Sequence, residues 1–258
     1  MNIENKSLEE ICTNFTRYFS YYFDWNDVDV TFFHVNLANK EIHHISNNYE
    51  WLLTCWEDNL NLHLSERLSP GFQYWSNYSE IYEKTLAKTE KRNVKLDICN
   101  KYGNIFEIIS INSKKLLSLE NTLEIYQTRP IIADYARNIW FKRENIILPV
   151  RAEIPSSYKA IKEIKNNPKD LLDTYHHMRF GNIRFTRKEM VTIGLFLSHC
   201  KIKEISAIQG CSDASEVKRI QNIKDKLGCS NASSSGLFKA LKNHGITQAC
   251  LGILVNYP

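Results

Sequence analysis

Ser212-Asp213-Ala214-Ser215-Glu216-Val217-Lys218-Arg219-Ile220-Gln221-Asn222-Ile223-Lys224-Asp225-Lys226-Leu227-Gly228 is the stretch on which the reading of this chain turns. Ser212 is a good helix N-cap and Gly228 a good C-terminal stop, so the spacing predicts one helix between them. Val217, Ile220, Ile223 and Leu227 fall on an inner stripe. Ser215, Lys218, Arg219, Asn222 and Lys226 follow at i, i+3, i+4, i+7 and i+11 and make one polar, basic face. Just before it, Lys201–Gln209 reads as a short helix with Ile202, Ile205 and Ile208 as its apolar side, broken by Gly210-Cys211. Earlier still, Thr186 and Glu189 have the spacing of a capping box that starts a largely apolar helix through Met190, Val191, Ile193, Leu195, Phe196 and Leu197. A short helix, a tight turn and a second helix with a basic face form the helix-turn-helix device. Its second helix fits a DNA major groove about 12 Å wide.

Charge supports that reading of the tail. The chain has 258 residues and a net charge of +4, but Pro168–Pro258 carries 13 Lys and Arg against 7 Asp and Glu. A basic tail behind a slightly acidic front implies separate jobs, with an anionic partner for the tail. Hydrophobic residues at 43% and charged residues at 24% exclude global disorder and fibrous structure. No apolar run reaches the roughly 18–20 residues of a membrane helix, and Met1–Glu10 does not read as a signal peptide. A cytoplasmic protein without membrane partners is expected. The seven cysteines are scattered without a C-x-x-C pair, which suits free thiols rather than a zinc site.

The front half reads as α+β. Leu8–Phe23 has helical spacing, Val28–Asn36 and Ile42–Ser46 form a hairpin about Asn39-Lys40, and Tyr49–Trp56 is helical again. Ser79–Lys91 is a charged helix. Val94–Cys99 and Asn104–Asn112 make a second hairpin, and Leu116–Arg143 is helix interrupted near Pro130. This order predicts an α/β/α sandwich over 1–150, a linker over 151–180, and an all-α four-helix domain over 181–258.

The tail, from Phe185 to about Ile246, resembles the LuxR-type (GerE-type) DNA-binding domain. Phe185-Thr186-Arg187-Lys188-Glu189 matches the family's opening L-T-x-R-E, and Ile202-Lys203-Glu204-Ile205-Ser206 its K-E-I-A block. Ile223-Lys224-Asp225-Lys226-Leu227-Gly228-Cys229-Ser230-Asn231 matches its closing I-x-x-K-L-G-x-x-N, all without a gap. The sequence departs from the pattern at His199, where the family has glycine, at Gln209, where it has leucine, and at Glu216, where it has an apolar residue. Double-stranded DNA is the partner the resemblance implies. Lys203, Ser215, Lys218, Arg219, Asn222 and Lys226 are the candidate contacts.

The front more faintly resembles the autoinducer-binding domain of the same regulators. Ile45-Ser46-Asn47-Asn48-Tyr49-Glu50-Trp51 and Phe72-Gln73-Tyr74-Trp75-Ser76 carry that resemblance. It implies a pocket for a small apolar ligand, with Tyr49, Trp51, Tyr74 and Trp75 as candidate lining. The family's Asp-Pro pair is missing, and Asn61-Leu62-His63-Leu64-Ser65 stands roughly there, so a standard acyl-homoserine lactone is not the expected ligand. The expected function is a DNA-binding transcriptional regulator with a small-molecule-sensing or dimerisation domain. The alternative is a protein-interaction or decoy module derived from one. A homodimer is expected, with Leu237, Ala240 and Leu241 of the last helix as one candidate seam. No nucleotide-binding, zinc-protease or hydrolase motif is present, so no enzyme, cofactor or metal is expected.

Overall fold

The computed structural model describes residues 6–142, 148–152 and 177–249 and has mixed α and β structure. Its contacts divide it into two units: Met1–Thr122 with Ala136–Ile164, and Leu123–Tyr135 with Lys165–Pro258. The expected linker lies mostly at 153–176, outside the described residues.

The first unit is built on a six-stranded antiparallel sheet of order β3-β4-β5-β1-β2-β6. Its strands are β1 (Val28–Asn36), β2 (Glu41–Ser46), β3 (Gly71–Tyr74), β4 (Val94–Tyr102), β5 (Ile105–Ser113) and β6 (Leu148–Pro149). Both expected hairpins form: Thr31 to Asn36 pair with Ser46 to Glu41, and Val94 to Tyr102 with Ser113 to Ile105. The helices of this unit are α1 (Lys6–Tyr18), α2 (Tyr49–Glu57), α3 (Glu80–Leu86) and the end of α4 (Leu119–Lys142), with a 3-10 helix at Leu60–Arg67.

Side chains alternate across the sheet, and both faces are covered. On one side Thr31, Phe33, Lys95 and Ser110 meet α2 and the 3-10 helix. On the other, Trp140 of α4 stacks on Phe32 at 6.1 Å and lies 5.1 Å from His43. The charged helix expected at Ser79–Lys91 stops at Leu86. Leu8–Phe23 is helical only to Tyr18, although Phe19 and Phe23 remain buried beyond it. β3 follows Pro70 and is not among the strands expected from the sequence; four residues are too few to show a period.

α4 runs through Pro130 rather than breaking there. Proline removes one helical hydrogen bond, but buried Ile125, Tyr126, Ile132 and Ala133 anchor the helix on both sides of it.

The second unit is not all-α. Besides the Leu123–Tyr135 part of α4 it has a hairpin, β7 (His177–Phe180) and β8 (Ile183–Thr186), turned at Gly181, whose φ is +58°. Gly181-Asn182 is therefore a hairpin turn, where the sequence suggested the end of a linker. Arg184 of β8 donates to Asp134 at 2.8 and 3.3 Å. Then come α5 (Arg187–Leu197), α6 (Ile202–Ile208), α7 (Asp213–Lys226), α8 (Ser234–Asn243) and the short α9 (Ile246–Ala249). Phe180, Phe185, Met190, Ile193, Ile205, Ile223, Leu237 and Leu241 form the buried interior.

Candidate functional site

The cavity of the first unit is organised by short-range capping. Asn48 caps α2 by accepting from the Trp51 amide at 2.9 Å, and its side-chain amide donates to Asp29 at 2.8 Å. Asn47 and Lys91 also donate to Asp29, at 2.8 and 2.7 Å. The Ser46-Asn47-Asn48 stretch thus ties β1 to the start of α2 and fixes where Trp51 lies. Trp51 and Trp75 face each other at 5.9 Å, and Tyr82 meets Trp75 edge-on at 4.9 Å. Among the described residues lining the cavity are Leu8, Thr31, Phe33, Trp51, Cys55, Trp56, Leu60, Asn61, Leu64, Arg67, Trp75 and Lys95. Its volume is about 80 Å³.

Of the four aromatics singled out in the sequence, Trp51 and Trp75 line this space. Tyr74 does not: it is 53% exposed, because alternation along β3 turns it away from buried Trp75. Tyr49, at the start of α2, is half-buried and is not among the lining residues.

The floor of the cavity is charged, which the sequence did not announce. Arg67, at the end of the 3-10 helix, donates to Asp97 at 2.7 and 3.0 Å and to Ser110 at 3.1 Å. Ser110, the Trp75 indole and Tyr78 complete the shell of Asp97 at 2.6, 3.2 and 3.3 Å. Burial works against the Asp97 carboxylate, yet Arg67, Lys95 and Ser110 leave its pKa lowered. The Trp75 N–H is thereby committed, and only its ring is free to meet a ligand.

Lys95 is 4% exposed, with its ammonium 4.6 Å from the Trp75 ring centre and 5.4 Å from that of Trp51. It donates to Asn112 Oδ1. Burial lowers the Lys95 pKa to about 8, with Asp97 opposing the shift. Burial also holds His44 down at about 4 and pushes Cys55 up to about 11. Among the described residues no group of three or more His, Cys, Asp or Glu is placed to hold a metal ion.

In the second unit, α6, the turn about Gly210 and α7 form the expected helix pair. Ser212 accepts from the Ser215 amide at 3.2 Å, and Gly210 and Gly228 take φ of +61° and +67°. The capping box of α5 forms in both directions, Thr186 N to Glu189 at 2.7 Å and Glu189 N to Thr186 at 3.2 Å. The inner stripe of α7, however, runs through Glu216 rather than Val217. Glu216 is fully buried and Val217 is 51% exposed. Of the α6 isoleucines, Ile205 is buried, while Ile202 and Ile208 face solvent.

Glu216 is satisfied by a network. It accepts from Thr192 at 2.5 Å, from Gln209 at 3.3 Å and from Arg219, and Gln209 also donates to Thr192 at 2.7 Å. The two departures at Gln209 and Glu216 are therefore partners. One predicted DNA contact already has an internal partner: Arg219 is ion-paired to Glu216 and mostly buried. Lys226 is likewise drawn to Glu189 at 2.7 Å, over the Phe185 ring. Lys203, Ser215, Lys218 and Asn222 stay exposed, the last three on one face of α7. The α8 seam is not available to a second copy, since Leu237 and Leu241 are already buried in this unit's interior.

No protein-family model matches the chain, and no curated protein matches it. Solved structures align over most of its length. Escherichia coli SdiA gives a TM-score of 0.35 at 10% identity, covering 95% of this chain and 93% of that one. SdiA in complex with octanoyl-rac-glycerol gives 0.34 at 8% identity, covering 95% and 91%. Among the described residues, no helix is long and apolar enough to cross a membrane.

Proposed function

We propose that the chain is a DNA-binding transcriptional regulator whose first unit senses a small molecule and whose second unit holds duplex DNA. The observation that carries this reading is the α6–turn–α7 pair. It is capped at Ser212, and α7 bears Ser215, Lys218 and Asn222 outward on a single face. Asparagine can pair bidentately with adenine and lysine can meet guanine or phosphate, while exposed Val217 suits a thymine methyl. The regulator works as a homodimer in the cytoplasm, because one recognition helix spans too few base pairs for a specific site. It has no catalytic role.

A second reading rests on the inward turn of Arg219 and Lys226, which takes two cations off the candidate DNA face. That loss favours a module descended from a DNA reader that now binds protein. Selection of duplexes from a random pool by the purified chain, followed by a salt titration, decides between them. A regulator enriches a two-fold-symmetric site, and its log affinity falls with log salt by about 0.9 for each phosphate neutralised. No enrichment and no salt-dependent binding would leave the protein-binding reading.

A further inference from the structure

The cavity in the first unit is apolar on most of its wall but carries a positive charge that, among the described residues, no carboxylate contacts directly. Arg67 and Asp97 neutralise each other through two hydrogen bonds. Lys95 is a second cation in the same wall. Among the described residues, Asn112 is its one hydrogen-bond partner, and the rings of Trp51 and Trp75 lie against its ammonium, with Asp97 near but bonded to Arg67. The Asn112 Nδ2 donor beside it is buried and has no hydrogen-bond partner among the described residues. A buried ammonium with donors to spare, at the edge of a mostly apolar space, is a costly arrangement unless an anion completes it.

Charge and size then limit what that anion is. One uncompensated positive charge calls for a single negative charge, which a carboxylate supplies. Leu8, Leu52, Leu60 and Leu64 make the rest of the wall a place for an alkyl chain. A buried water needs roughly 10–15 Å³ of such space, so a cavity of about 80 Å³ admits on the order of five to eight heavy atoms.

We propose that the cavity binds a short-chain carboxylate, its head at Lys95 and its alkyl chain among Leu8, Leu52, Leu60 and Leu64. The proposal rests on the ligand-sensing reading of the first unit and names the ligand class for it.

The groups facing Lys95 give the proposal a pH signature. Asp97, Arg67, Cys55 and Asp29 all act on it, and His44 lines the same cavity. Cys55 at about 11 and His44 at about 4 keep their charge state near neutrality, and Asp29 is paired with Lys91. Tyr78 and Tyr82 are raised by burial, which removes them from this range as well. Lys95, at about 8, is the cavity cation that titrates there. A carboxylate beside it favours the ammonium, so binding at pH 8 takes up protons and weakens as the pH rises further.

The test is calorimetric titration of the full chain with hexanoate, hexanamide and hexylamine. At pH 7 hexanoate should bind about tenfold or more tighter than hexanamide, the margin of one charge-assisted hydrogen bond. Lys95→Met should bring the two within about twofold of each other while hexanamide binding persists. Equal affinities in the native chain, or a preference that survives Lys95→Met, would overturn the carboxylate assignment and leave ligand sensing standing. Binding of none of the three would overturn this proposal. If Lys95→Met does not fold, the native chain still decides. Titrations at pH 8 in buffers of different ionisation enthalpy should show proton uptake with hexanoate and none with hexanamide, and absence of uptake would refute the role of Lys95.

Discussion

Replacing Gln209 and Glu216 by leucine, singly and together, tests whether the two departures from the helix-turn-helix pattern are one feature. Glu216 is fully buried, and Thr192, Gln209 and Arg219 donate to it. Glu216→Leu alone leaves those three donors without their acceptor. Removing one member of a buried charged network typically costs about 3–5 kcal/mol. The lower end applies here, because the Arg219 side chain retains 16% exposure and can turn toward solvent. Gln209→Leu alone removes a hydrogen bond to Thr192 and a longer one to Glu216, worth on the order of 1 kcal/mol. The double variant restores an apolar pair, and its cost should fall short of the sum by about 1–2 kcal/mol, the coupling expected of residues in one network.

The assay must read the second unit by itself. Trp25, Trp51, Trp56, Trp75 and Trp140 all lie in the first unit, so tryptophan fluorescence does not report on α5–α7. Hydrogen exchange read by mass spectrometry on peptides covering α5, α6 and α7 does, since it gives local opening free energies. Glu216→Leu should speed exchange there by about two orders of magnitude, from 1.4 kcal/mol per tenfold, and the added Gln209→Leu should recover part of it. Strict additivity of the two substitutions would refute the argument that Gln209 and Glu216 compensate each other.

Lys218→Ala should weaken duplex binding and lower the salt slope by about one, measured by electrophoretic shift at several salt concentrations. Arg219→Ala should instead show itself chiefly as faster hydrogen exchange in α7, because its charge is spent on Glu216. His199 holds φ at +63°, and a side chain there costs on the order of 1 kcal/mol, so His199→Gly should raise the melting temperature of the second unit by a few degrees in calorimetry. The Asp97 carboxyl lies below its unfolded value of 3.8, so the stability it gives is present above that value and is lost as the pH falls through the folded one. Asp97→Asn should therefore flatten the acid limb of first-unit unfolding followed by tryptophan fluorescence.

The parts of the fold that were legible are those fixed by local chemistry. Thr186 with Glu189, and Ser212 before α7, are capping signals that act within three residues, and both form as the spacing implied. The hairpin turns at Asn39-Lys40 and about Gly103 are equally local. What failed was set by tertiary context. Pro130 was tolerated because its neighbours are buried, and the hairpin about Gly181 is too short to carry a period. On α7 the apolar residue Val217 was assigned to the inner stripe, which left the carboxylate Glu216 out of it, the better choice when no partner is known. The reverse holds because Thr192 on α5 and Gln209 after α6 both meet Glu216, and that pairing depends on residues up to 24 positions away.

The same limit hid the charged floor of the cavity. In Val94–Cys99 the apolar residues Val94, Leu96 and Ile98 alternate with Lys95 and Asp97, which in a sheet with one wet face puts the charges in water. Here β4 is buried on both sides from Val94 to Cys99, because α2 and the 3-10 helix cover the face that carries Lys95 and Asp97. Neither charge can be left unbalanced there. Asp97 draws Arg67 from a segment 30 residues away, along with Ser110 across the β4–β5 pair, the Trp75 indole and Tyr78. Its acceptor sites are filled by protein. Lys95, two residues before it on the same face, meets an amide and two ring faces instead. An alternating strand is thus ambiguous until the second face is known to be covered. Once it is covered, the side chain whose charge the protein does not match marks where a ligand's charge belongs.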